Sequence, residues 1–143
     1  MAYQCTLPAA EATAFEGRRS ATDYEYQQNL VQNAAAQRRL GMEQTIARRN
    51  LARQLDRARQ QLPGAYAGRG LLRSGIYNRG IGDFEIGRFQ AQATQDMDFG
   101  RRRDDLFSQL SSFDVNRVLS LANIDLQEAQ RRSAIAAMLQ GIA

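Results

Sequence analysis

The chain has 143 residues with one cysteine and no histidine or tryptophan. It therefore excludes an intrachain disulfide and lacks the commonest general base and metal ligand. Its 19 basic residues are all arginine, set against 15 acids for a formal charge of +4, too little to hold the chain open by self-repulsion. Leu, Ile, Val and Phe number only 30, and much of the remaining apolar content is alanine, so the composition forms helices more readily than it fills a core.

Residues 1–20 hold Pro8, Gly17 and scattered small residues without a sustained period, and read as a flexible arm that orders against a neighbour. Thr22-Asp-Tyr-Glu25 has the form of a capping box, in which the threonine hydroxyl accepts from the Glu25 N–H while the glutamate reaches back. No proline then intervenes until Leu62-Pro63-Gly64, so a long helix is expected over 21–62. Leu51, Leu55, Ala58 and Leu62 follow the 4-3-4 spacing of a coiled-coil stripe and are assigned to helix packing. Extended backwards, the same line passes through Arg48, Gln44, Gly41 and Gln37 before Ala34 and Leu30, a polar stretch read as exposed.

Residues 63–82 carry six glycines interleaved with Leu71, Leu72, Ile76, Tyr77 and Ile81. A flexible linker lacks such bulky apolar groups, so this segment reads as a structured turn. Ser74 is a candidate N-cap, with helix resuming at Gly75 or at Asp83. Residues 83–140 then read as one helix or a kinked pair, with a change of register near Ser111-Ser112. Beyond it, Val115, Leu119, Ala122, Leu126, Ala129, Ser133 and Ala136 keep an unbroken 4-3 alternation, the cleanest amphipathic pattern in the chain. The fold expected is all-α: a single elongated helical domain over 1–143, built as a long helical hairpin with a Gly-rich structured turn and a C-terminal amphipathic helix. Its thin stripes call for coiled-coil-like packing in an oligomer.

Charge is distributed unevenly. Residues 38–62 carry seven arginines against two acids, and 63–82 carry three and no acid, which makes the middle of the chain a basic block. Arg49, Arg53 and Arg57 stack like charges at i, i+4 and i+8, which costs a few tenths of a kcal/mol per pair unless something anionic lies opposite. Asp83, Glu85, Asp96 and Asp98 on the returning helix are the first candidates. The alternative is nucleic acid or an acidic partner, held by Arg48, Arg49, Arg53, Arg57, Arg59, Arg69, Arg73 and Arg79.

No catalytic, metal or cofactor site is expected. The glycine segment lacks the Lys-Ser/Thr pair and the preceding strand of a phosphate loop. Asp96/Asp98 and Asp104/Asp105 sit among arginines as solvated helix surface. Cys5 has no histidine to activate it, and a lone cysteine fits a reducing or sheltered compartment. No apolar run approaches the roughly 20 residues of a membrane span, and the N-terminus lacks the pattern of a signal peptide, so a soluble protein is expected.

At Ala67-Gly-Arg-Gly-Leu-Leu-Arg-Ser-Gly-Ile-Tyr-Asn-Arg-Gly80, set between two Ala/Gln/Arg-rich helices, the chain resembles the small α-helical virion structural proteins of tailed bacteriophages. The resemblance covers mainly the turn and its flanking helices. It implies a many-copy component of the portal, head–tail junction or tail, assembled in the host cytoplasm, with itself and other virion proteins as partners. An internal protein that accompanies DNA on ejection is the alternative. No catalytic residue carries over.

Overall fold

The computed structural model describes residues 6–68, 70 and 75–142, and these form two helices in a hairpin: α1, Ala9–Ala67, and α2, Gly75–Ile142. No strand occurs among the described residues. The described residues fall into two helical units, one within Met1–Ala34 and Phe107–Ala143 and the other within Ala35–Leu106. In each unit a stretch of α1 lies antiparallel to a stretch of α2. In the first, the partners of Glu11 and Asp23 are Arg131 and Arg117, so the α2 number falls as the α1 number rises. In the second, Glu43, Arg48 and Arg59 meet Arg102, Asp96 and Glu85 in the same descending order.

Helix α1 begins twelve residues earlier than the expected boundary at 21, so residues 9–20 are helix and not an arm. Ala9, Ala10, Ala12 and Ala14 carry the best intrinsic helix propensity, and Pro8 can open the helix because its carbonyl accepts from Ala12 N–H at 3.0 Å. The 3-4 spacing of Glu11, Ala12, Phe15 and Arg19 brings partly buried side chains to one face, but half of them are polar, which hides the period from an apolar pattern. Thr22 consequently caps nothing. It lies inside the helix, where its hydroxyl donates to the Arg18 carbonyl at 3.0 Å.

Pro63 does not stop α1; the helix passes through it and ends at Ala67. An internal proline costs about 3 kcal/mol, here within the last turns of a helix held to α2 by half-buried Leu62 and Tyr66. The chain leaves the helix through Gly68, whose N–H donates to Gly64 at 3.1 Å, and Gly70, whose N–H donates to Ala67 at 3.0 Å. Gly70 has φ of 67°, a conformation open to glycine at little cost. The turn is therefore shorter than the 63–82 expected, because α2 already runs from Gly75 and not from Asp83. Leu71, Leu72, Arg73 and Ser74 of the expected turn lie outside the described residues, as do Cys5 and Arg69.

Within the second unit, Gly80 has a specific task. A Cβ there would lie 2.7 Å from Cζ of Tyr66, so the absence of a side chain lets the Tyr66 ring lie against the α2 backbone. Tyr66 also meets Tyr77 edge to face, centroids 5.3 Å apart, which joins the end of α1 to the start of α2.

Helix α2 continues unbroken through Ser111-Ser112, where a register change was expected. The half-buried positions Leu106, Leu110, Phe113 and Arg117 hold a steady 4-3-4 spacing across that point. No second helix is needed to explain the pattern.

Candidate functional site

Among the described residues only Leu40, Phe99 and Ile124 are buried hydrophobic side chains, and none is fully enclosed. A chain with so little core must hold its hairpin by other means, and in the first unit it does so with polar groups. Arg131 donates to Glu11 through Nε and Nη2 at 2.9 and 2.8 Å. Arg19 reaches Asp125 at 2.7 Å and also pairs with Glu128. Arg117 donates to Asp23 at 2.9 Å while its guanidinium lies over the Tyr26 ring, and Tyr26 donates to Asp114 at 2.5 Å. Asn33, the one buried polar residue among those described, lies in the same unit.

The chemistry is charge-assisted hydrogen bonding across a partly wet interface. The bonds from Arg131 and Arg19 hold the Glu11 and Glu128 carboxyls below their ordinary values. The same bonds raise both arginines, and acceptance by Asp114 raises the Tyr26 phenol. The Glu128 side chain is only 14% exposed, but Arg19 and the Glu11–Arg131 pair keep about a third or more of their surface in water, so these bonds order the pairing more than they stabilise it.

The polar seam decides which face of α2 is left over. Phe113, Arg117, Leu121, Ile124, Glu128 and Ile135 are buried or half-buried toward α1. The 4-3 stripe read from the sequence lies on the other side: Val115, Leu119 and Leu126 are 56%, 62% and 57% exposed, and Ala122 and Ala129 are exposed with them. At about 100° per residue the two faces are centred roughly 160° apart. One helix thus carries two seams, and only one is covered within the chain. Leu51, Leu55 and Leu62 differ from the outward stripe, since they are half-buried in the second unit.

The arginine candidates also separate. Arg48 pairs with Asp96 at 3.1 Å and Arg59 with Glu85 at 3.3 Å, so two of the four expected acids do reach back to α1. They take arginines eleven residues apart, three helical turns and nearly the same azimuth, and not the Arg49, Arg53, Arg57 row. Those three and Arg79 are exposed and have no ion pair or hydrogen bond among the described residues. Arg69 and Arg73 lie outside the described residues.

Sequence reasoning missed the residues of the polar seam. Arg117, Ile124 and Arg131 recur every seven residues, a readable heptad whose alternating chemistry no search for apolar stripes detects. Among the described residues no cluster of His, Cys, Asp and Glu could hold a metal, and no helix is long and apolar enough to cross a membrane. In comparisons with known proteins, no family model, curated protein or solved structure matches the chain.

Proposed function

We propose that this chain is a non-enzymatic structural subunit that works by helix packing in many copies. The observation that carries the reading is the exposed heptad stripe from Val115 to Ala129, left open on a helix whose opposite face is already occupied. Coiled-coil spacing sustained in solvent serves no purpose within one chain, because each leucine leaves apolar area in water that a second helix would remove. The resemblance of residues 67–80 to small helical virion proteins of tailed bacteriophages supplies a setting: the portal, head–tail junction or tail of a particle. Mass spectrometry of purified particles tests that setting. Recovery of the chain in stoichiometric, many-copy amount is expected, and its absence from intact particles contradicts it.

A second reading rests on Arg49, Arg53, Arg57 and Arg79, which have no anionic partner among the described residues. The three on α1 form a row on one helix face that suits phosphate, and the chain would then accompany DNA inside a particle. Salt-sensitive retention of duplex DNA in a gel shift supports this reading; no retention at low salt removes it.

A further inference from the structure

We infer that the outward stripe of α2 is the seam of an antiparallel homodimer, in which seam residue i of one chain lies opposite residue 255 − i of the other, the flanking g pairs summing to 257 and the e pairs to 253. This rests on the structural-subunit reading and adds the occupant, its direction and its register. With Leu119, Leu126 and Ser133 as a positions and Val115, Ala122, Ala129 and Ala136 as d positions, an antiparallel partner stacks a against d. The layers are then Leu119 on Ala136, which is half-buried in its own chain, Leu126 on Ala129 and Ser133 on Ala122, each formed twice about the two-fold axis, with Val115 on Gln140 at either end. Each leucine meets an alanine, so the helices can approach to the lower end of the usual spacing of about 8–10 Å.

The flanking rows identify a second copy as the occupant. On one side of the seam the exposed g positions are Val118, Asp125, Arg132 and Leu139. In the antiparallel register Val118 faces Leu139 of the other copy and Asp125 faces Arg132, so apolar meets apolar and acid meets base. On the other side, Asn123 faces Gln130 and Asn116 faces Ala137. A slip of one heptad in one direction sets Asp125 against Asp125; a slip in the other sets Arg132 against Arg132. A parallel, in-register pair opposes Val118 to Asn123 and Arg132 to Ala137 and forms no ion pair. Of the four arrangements, only this one sets apolar against apolar and acid against base along the g row.

Both charged groups are placed for a second partner. The two bonds from Arg19 land on Oδ1 of Asp125, whose side chain is 64% exposed. Arg132 holds Glu128 at 2.8 Å and its side chain is 54% exposed.

Sedimentation equilibrium of the full chain, with helix content followed by circular dichroism, tests the inference. The wild type is expected to be dimeric, and Leu126→Glu to weaken association about a hundredfold without loss of helix, since it buries a charge in the seam. Asp125→Arg and Arg132→Asp should each weaken it about tenfold, because two symmetry-related attractions become repulsions. The double swap Asp125→Arg/Arg132→Asp should return to within about threefold of wild type. Restoration cannot come from inside one chain, where the swap sets like charges beside Arg19 and beside Glu128. A double variant as weak as either single overturns the proposed register. Self-association that ignores all of these substitutions overturns the interface and leaves the structural reading standing, whereas a wild type that is monomeric at every concentration removes both.

Discussion

Arg117 of α2 meets α1 twice at one point: its Nε donates to the Asp23 carboxylate at 2.9 Å and its guanidinium stands 4.7 Å from the centre of the Tyr26 ring. With the nearby bond from Tyr26 to Asp114, this makes a polar lock where a larger protein would place leucines. Arg117→Ala removes a half-exposed ion pair and a cation–π contact together, and should lower stability by about 1 kcal/mol. Arg117→Lys should recover less than half of that, because an ammonium does not reproduce the planar stacking. Urea midpoints followed by circular dichroism check both, and a lysine variant equal to wild type would show that the stacked guanidinium contributes nothing.

The close approach of Tyr66 to Gly80 predicts a second effect. Gly80→Ala gains helix propensity in α2 but sets its methyl into the tyrosine ring, so a net loss of about 1–3 kcal/mol is expected. Removing the ring should reverse the sign: in a Tyr66→Ala background, Gly80→Ala should be neutral or stabilising by up to about 1 kcal/mol. Additive effects in this double-mutant cycle contradict the packing described.

Acid should loosen the hairpin through Glu11 and Glu128. Their folded-state values lie below the ordinary 4.5 because Arg131 and Arg19 donate to the charged forms. A depressed carboxyl contributes stability that is present above its unfolded value and lost as pH falls through its folded value. The urea midpoint should therefore hold steady above about pH 5 and fall below pH 4.5. Glu11→Gln/Glu128→Gln should flatten that fall, and an unchanged slope in the double variant contradicts the assignment.

The exposed arginine row should be dispensable for folding. Arg49→Gln, Arg53→Gln and Arg57→Gln together relieve like-charge crowding and should change stability by no more than about 0.5 kcal/mol, with any shift toward stabilisation. A large loss would reveal an in-chain partner. If duplex DNA is retained by the wild type, the same triple variant should release it at lower salt.

Much of this architecture was legible in the order of residues. The helices, the glycine-rich reversal and the stripe from Val115 to Ala136 follow from spacing alone, since a 4-3 alternation has few other meanings. What stayed hidden was which seam faces inward. Val115, Leu119 and Leu126 outrank Arg117, Ile124 and Glu128 in hydropathy, so a rule that buries the more apolar face chooses the wrong side of α2 for contact with α1. The start of α1 was obscured for a related reason. Glu11 and Arg19 bind α2 through charge, and a polar contact leaves no apolar period. Pro63 misled in the other direction, because packing of Leu62 and Tyr66 carries the helix past a residue that would end an isolated one.

The central claim is that one chain leaves its best apolar seam unfilled and a second chain fills it. Thermal unfolding recorded over a hundredfold range of protein concentration tests it most directly, because mass action raises the midpoint only when folding and association are coupled. A midpoint that climbs steadily with concentration is the predicted result. A single sharp transition at one temperature throughout the series would contradict the account.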